Sequence, residues 1–277
     1  MGNFDGKVAF ITGGARGQGR SHALHLARAG ADIVICDALG AQPTAPVHMA
    51  SKDDLEETVR LIEAEGRRVL TRQVDVRDLP GLTTFADDAV AEFGKIDILL
   101  ANAGIMSFGQ LDEMSSTVWQ DTIDTNLTGV FNSFRAVVPH MKKAGYGRIV
   151  ATSSGGGRIG FPNLSHYVAA KWGVIGLVKS LALEVCQDGI TVNAVTPTNV
   201  NTDMIRNQPT VELFMPGVEN PTQEEIEKAF VINPMGVPWL EPSDVSKLIM
   251  FLVSDDAKFI TGETMGPLAG QAANNAV

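Results

Sequence analysis

Three residue types within one short stretch can do chemistry together. In IVATSSGGGRIGFPNLSHYVAAK (residues 149–171) an apolar run ends at Ser153 and Ser154, glycines follow, and a helical pattern then carries Tyr167 and Lys171 four residues apart. That spacing sets a phenol and an amine on one helix face. An ammonium beside a phenol favours the phenolate and lowers a pKa of about 10 toward the working range of a base that removes an alcohol proton. The Ser154 hydroxyl is then placed to hold the substrate oxygen. A tyrosine and a lysine one turn apart also fit an exposed, purely structural helix, so the surrounding elements must decide.

Those elements alternate. Val8 to Thr12 is a short continuous apolar run, the pattern of a strand buried on both faces, and TGGARGQG follows before a helix over about 18–29. In such a loop Gly13 permits the tight turn, Gly17 lets backbone approach a pyrophosphate, and Gly19 allows close helix packing, with the helix N-terminus offering amides to phosphate. The next strand, DIVICD, ends in Asp37 about 20 residues further on, where a carboxylate receives ribose hydroxyls and repels a 2′-phosphate. This favours NAD over NADP; Arg16 in the loop points weakly the other way, and Asp37 also fits a helix cap or a solvated loop acid. Strands over 69–74 and 96–100 end in Asp75 and in Asn102-Ala103-Gly104. The expected fold is therefore α/β, a doubly wound parallel sheet of Rossmann type in a single domain, with Gly13, Asp37, Asp75, Asn102 and Ser154 converging at the carboxyl edge. Asp75 and the Val76 backbone are placed to meet an adenine, or Asp75 caps a helix. Asn126 interrupts a long apolar helical pattern over about 116–144, either as a break that relays protons through water or as a satisfied core amide.

Two segments lack a regular period. Residues 38–52, with Pro43 and Pro46, form a long loop that starts at the proposed ribose ligand and is expected to fold back over the cofactor. Residues 199–240, after a strand over 190–194, are apolar and irregular, with one short helix capped by Thr222; their position suggests a substrate lid.

Composition narrows the partners. The 277 residues are 44% hydrophobic, enough for a sizeable core, and Lys+Arg 22 against Asp+Glu 32 gives a net charge of -10, which disfavours nucleic acid and anionic membranes. Cys36 and Cys186 read as core packing in a reducing cytoplasm, no stretch reaches membrane-spanning length, and the five histidines have no metal-ligand spacing.

Taken together, TGGARGQG, Asp75-Val76, Asn102-Ala103-Gly104, Asn126, Ser154 and YVAAK resemble the short-chain dehydrogenase/reductase family over nearly the whole chain. The resemblance implies a catalytic tetrad of Asn126, Ser154, Tyr167 and Lys171, and NAD held by Gly13, Arg16, Gly17, Gln18, Gly19, Asp37, Asp75, Val76, Asn102, Ala103, Gly104, Tyr167, Lys171, Pro197, Val200 and Thr202. The insertion at 38–52, and Pro197-Thr198 where Pro-Gly is usual, resemble the carveol-dehydrogenase-like subgroup. That subgroup implies a secondary, often terpenoid, alcohol and mycofactocin as external redox partner, and the family implies a homotetramer. The ending GPLAG departs from the family's usual valine-aspartate-glycine pattern. Two rival functions remain at this stage: an NADPH-dependent carbonyl reductase of 3-oxoacyl type, and a non-catalytic cofactor sensor.

Overall fold

In the computed structural model, which describes residues 4–274, one seven-stranded sheet carries the chain. Its strands are β1 (Val8–Thr12), β2 (Asp32–Asp37), β3 (Val69–Gln73), β4 (Ile98–Ala101), β5 (Gly147–Thr152), β6 (Ile190–Val195) and β7 (Thr264–Met265). They pair in parallel in the order β3-β2-β1-β4-β5-β6-β7. The order reverses between β1 and β4, and a crevice opens there at the carboxyl ends.

Alternation along the strands divides the core in two. Val8, Phe10, Val34 and Cys36 face one apolar cluster, with Phe85, Phe134, Val174 and Val178. Ala9, Ile11, Ile33 and Ile35 face the other, with Leu26, Val245 and Ile249. The first layer is built by α3 (Leu79–Phe93), α5 (Gly129–Ala144) and α6 (Ser165–Val185), the second by α1 (Gly17–Arg28), α2 (Lys52–Ala64) and α9 (Pro242–Leu252). Ser51 opens α2 with a capping box to Asp54. Lys52 thus belongs to that helix, and the preceding loop covers residues 38–51.

Two sequence expectations need correction. Cys36 is buried but Cys186 is exposed, because α6 ends at Val185 and a 3₁₀ turn carries the thiol outward. The irregular segment after β6 contains a second helix, α7 (Gln208–Phe214), besides α8 (Gln223–Ala229), the one capped by Thr222. No helix among the described residues is long and apolar enough to cross a membrane.

Candidate active site

Ser154 leaves β5 with extended backbone, and its Oγ accepts from Gly156 N at 3.1 Å, capping a 3₁₀ turn of three glycines. Tyr167 and Lys171 lie in the first two turns of α6. Lys171 is 3% exposed, and its Nζ donates to the Thr152 carbonyl at 2.9 Å and sits 5.5 Å from the Tyr167 ring centre. Ser153 Oγ donates to the Lys171 carbonyl at 2.8 Å, which ties the helix to the end of β5. Gly157 lets that turn press on α6: a Cβ there would stand 2.9 Å from the Lys171 carbonyl oxygen.

The electrostatics differ from the simple expectation. Burial raises the Tyr167 phenol, and a hydrogen bond with Ser154 pulls the other way. Burial also lowers Lys171 to about 8. Desolvation outweighs the Ser154 hydrogen bond, so these two contributions leave the Tyr167 phenol raised and do not carry it toward neutrality.

Asn126 falls in a π-helical turn, Asp124–Thr128, between α4 (Ser116–Ile123) and α5. Its amide is fully buried, and both ends are spent on Ile105: Oδ1 accepts from the Ile105 N–H at 2.8 Å and Nδ2 donates to the Ile105 carbonyl at 2.8 Å. A satisfied amide and a helix break therefore coexist at one residue. The contact holds the chain just beyond Asn102-Ala103-Gly104, and a Cβ on Gly104 would come within 2.9 Å of the Asn126 oxygen.

On the other side of this floor is a crevice lined by Gly13, Arg16, Gly17, Gln18, Gly19, Asp37, Asp75, Val76, Asn102, Ala103, Gly104 and Thr202. Gly13 has φ +66 and would meet the Ala103 backbone at 2.8 Å if it bore a Cβ; a Cβ on Gly19 would run into the Gly13 carbonyl. Asp37 accepts from Ala15 N at 3.1 Å, bracing the glycine loop, and burial raises its carboxyl pKa. It is neither the cap of α2, which is Ser51, nor a solvated acid. Asp75 is gripped by Arg77 at 2.6 Å, while Asp78 caps α3. The capping reading of Asp75 is thus replaced by an ion pair, strengthened on the far side by Arg77 with Asp121 at 3.4 Å. The Val76 carbonyl accepts from Asn132 at 2.9 Å.

Arg16 has a place that sequence reasoning did not find. Its guanidinium donates to the His48 carbonyl and, at 2.7 Å, to Asp203, so it joins the loop of residues 38–51 to the segment after β6. That loop crosses the crevice. Gln73 donates to the Ala38 and Leu39 carbonyls, Thr44 donates to Asp121 at 2.8 Å, and Ala45, Val47 and Met49 pack on Ile105.

Beyond Gln18, Asn102, Gly104 and Thr202 the crevice continues into a cleft holding Ser154, Tyr167, Lys171, Pro197 and Val200. Its other walls are mainly apolar and include Met106, Phe161, Leu164, Leu213, Phe214 and Ile232. These residues carried no signal of their own in the sequence; Met and Phe in an irregular segment are as well explained by packing. Gln18 Oε1 and Thr198 Oγ1, which both belong to cleft residues, are buried without a partner among the described residues. Gln271, from the C-terminal turn, also reaches the cleft.

A parallel sheet with a glycine loop at its switch point and a serine, tyrosine and lysine at the adjoining strand end define an α/β nucleotide-binding class. Residues 7–212 match the family of short chain dehydrogenases, and the chain belongs to that family. It is 44% identical to (-)-trans-carveol dehydrogenase of Rhodococcus erythropolis over 98% of this chain and 99% of that protein. It is 37% identical to trans-4-hydroxycyclohexanecarboxylate dehydrogenase of Sinomonas cyclohexanicum, over 97% and 94% of the two chains. Among solved structures, carveol dehydrogenase from Mycobacterium avium in complex with NAD superposes with a TM-score of 0.96 at 44% identity, covering 99% of this chain and all of the other.

Proposed function

We propose that this chain is an NAD-dependent dehydrogenase of hydrophobic cyclic secondary alcohols, carveol and related terpenoid alcohols among them. The observation that carries the reading is the convergence of Ser154, Tyr167 and Lys171 on an apolar cleft that opens directly into the glycine-loop crevice. The crevice residues suit a dinucleotide: backbone packed too closely for side chains at Gly13 and Gly19, a free Gln18 oxygen at the junction, and an Asp37 carboxylate with lone pairs to spare for ribose hydroxyls. Asp37 disfavours a 2′-phosphate, and the cation of Arg16 is already paired with Asp203, which weighs against the NADPH reading. A bound NAD supplies the hydride acceptor.

The side chains do the rest. Ser154 Oγ donates to the alcohol oxygen and orients it toward Tyr167, whose phenolic oxygen takes the hydroxyl proton. Because burial raises Tyr167, it is protonated at rest, and the positive charge of Lys171 and of oxidised cofactor is what draws the phenol down when the site is assembled. Lys171 also holds the nicotinamide ribose, and Asn126, its side chain committed to Ile105, serves the proton relay through the main chain of the π turn. Residues 38–51 cover the adenosine end and retain NAD between turnovers, so that mycofactocin serves as external acceptor; the protein works in the cytoplasm as a homotetramer. A pure cofactor sensor has no need of a base, and keeping the three reactive groups in one cleft speaks against it.

The test is Tyr167→Phe, assayed on NAD-bound protein with carveol and a dye acceptor. The phenyl ring stays packed, so cofactor binding persists while turnover falls by ~10² to 10⁴-fold. Retention of more than a tenth of the wild-type rate overturns the assignment.

A further inference from the structure

The C-terminal segment departs from the family pattern in sequence, and its placement gives the departure a purpose. After β7 the chain turns back under the segment that follows β6. Met235 N donates to the Ala269 carbonyl at 3.1 Å, and Gly270, with φ +94, lies so close to Pro234 that a Cβ would meet its ring at 3.1 Å. Gln271 follows, and its Nε2 donates to the Ile232 carbonyl at 2.8 Å.

This bond settles which way the Gln271 amide faces. A backbone carbonyl only accepts, so the nitrogen must point to Ile232 and the oxygen must point away from it. Oε1 faces Gly155, the residue after Ser154, lying 3.5 Å from where a Cβ on that glycine would be. The Gly155 N–H is not available to it, being donated to the Pro197 carbonyl at 2.9 Å. Among the described residues no donor bonds Gln271 Oε1, while the side chain lines the reactive cleft. The free Thr198 hydroxyl in the same cleft rotates and serves either as donor or as acceptor. Gln271 Oε1 is different: it accepts only, and it is held in place by the Ile232 anchor.

We propose that Gln271 is a specificity-determining residue that selects alcohols carrying a second hydrogen-bond donor. This rests on the reading of the cleft as an alcohol site. With one hydroxyl of a cyclic substrate between Ser154 and Tyr167, a second hydroxyl on the ring completes the amide oxygen; a methyl ether at that ring position presents only lone pairs and a methyl group to it. The favoured class is therefore cyclic diols and hydroxylated terpenoids, and monohydroxy alcohols of equal bulk are turned over less well.

The experiment compares a panel of cyclohexanediols, with the second hydroxyl at each ring position, against their monomethyl ethers. NAD-bound wild-type protein and the Gln271→Met variant are assayed with a dye acceptor. For at least one ring position the wild type is expected to prefer the diol by about tenfold in kcat/KM, the worth of one well-placed hydrogen bond, and the variant to lose that preference. Loosening of the Ile232 anchor moves both members of a pair together and leaves their ratio unchanged, so the ratio isolates the acceptor. Oxidation of diols and ethers with a ratio that ignores position 271 overturns the role of Gln271 alone. Failure of the wild type to oxidise any of the panel overturns the alcohol-site reading, and this inference with it.

Discussion

Two long irregular segments cross the carboxyl edge of the sheet, and they are held by different physics. Residues 38–51 have no regular secondary structure and only a small apolar cluster, Ala45, Val47 and Met49 on Ile105. Their hold is polar and points outward to fixed parts of the frame: Gln73, Asp121, Arg77 through Gln42, and Arg16. Residues 199–240 instead contain two helices and an aromatic cluster of their own. Phe214 stacks on Phe230 at 4.3 Å, and Trp239 stands edge-on to Phe230 at 6.0 Å. The first segment is a strap whose position depends on its anchors. The second is a small packed unit that keeps its shape by burying its own side chains and presents Leu213, Phe214 and Ile232 to the cleft.

The strongest way to break the comparison is to remove the strap. Replacing residues 41–48 by a short turn should speed release of bound nicotinamide at least about a hundredfold, the equivalent of about 3 kcal/mol, and allow continuous turnover with free NAD. Wild-type protein purified without added NAD should carry nicotinamide and give one stoichiometric burst with substrate. Cofactor content after gel filtration and the burst amplitude are the measurements, and equal cofactor loss from both proteins refutes the strap. The second segment should fail differently. Phe230 is 1% exposed, and Phe230→Ala in a core costs about 3–5 kcal/mol. Here the loss should stay within the packed unit, so proteolytic cleavage in 199–240 and the KM for alcohol rise while cofactor content holds. A matching loss of cofactor would mean that the two covers are one.

Beneath both covers lies a group the fold holds at a cost. Lys171 is buried, and its folded pKa of about 8 lies below its ordinary 10.5. The unfolded chain therefore binds more protons between those values, and this residue's contribution to stability rises with pH across that window. Below about 8 both states are protonated and the full penalty applies, a difference of 2.5 pKa units, or on the order of 3 kcal/mol. Lys171→Met should thus melt higher than wild type at pH 7, with the gap closing toward pH 10, while losing turnover. Denaturant midpoints at the two pH values check it, and a gap that does not depend on pH removes the charge from the account.

The frame was legible because it depends on local pattern. Buried strands must be apolar throughout, their glycine loop must be glycine, and Ser154, Tyr167 and Lys171 sit at separations fixed by one turn and one helix. The two covers show in the sequence as segments without a period, but the contacts that hold them do not, because they join residues far apart in sequence: Thr44 with Asp121, Arg16 with Asp203, Gln271 with Ile232. A short helix such as α7 adds too few turns to show a period. The sequence offers Asn126 either as a helix break that relays protons through water or as a satisfied core amide; the π turn supplies the break and Ile105 satisfies the amide. The tyrosine pKa went astray for a related reason, since spacing reveals a neighbouring charge but not the depth at which it is buried.

The smallest expected effect concerns the link that Arg16 makes between the two covers. Arg16 reaches the strap through the His48 carbonyl and the packed unit through Asp203, whose side chain is 66% exposed. An exposed ion pair of this kind is worth about 0–1 kcal/mol and weakens with salt, so Asp203→Ala should scarcely move the melting temperature. Its kinetic consequence is more informative. Releasing Asp203 leaves Arg16 on the strap, so cofactor retention should persist, while opening of the packed unit no longer has to break the pair and substrate exchange should quicken by up to about fivefold at low ionic strength. Raising salt should bring the wild type toward the variant and leave the variant itself nearly unchanged. If Asp203→Ala instead releases nicotinamide as fast as removal of the strap does, the pair is holding both covers shut together, and the separation between a polar strap and a self-packed unit fails at this residue.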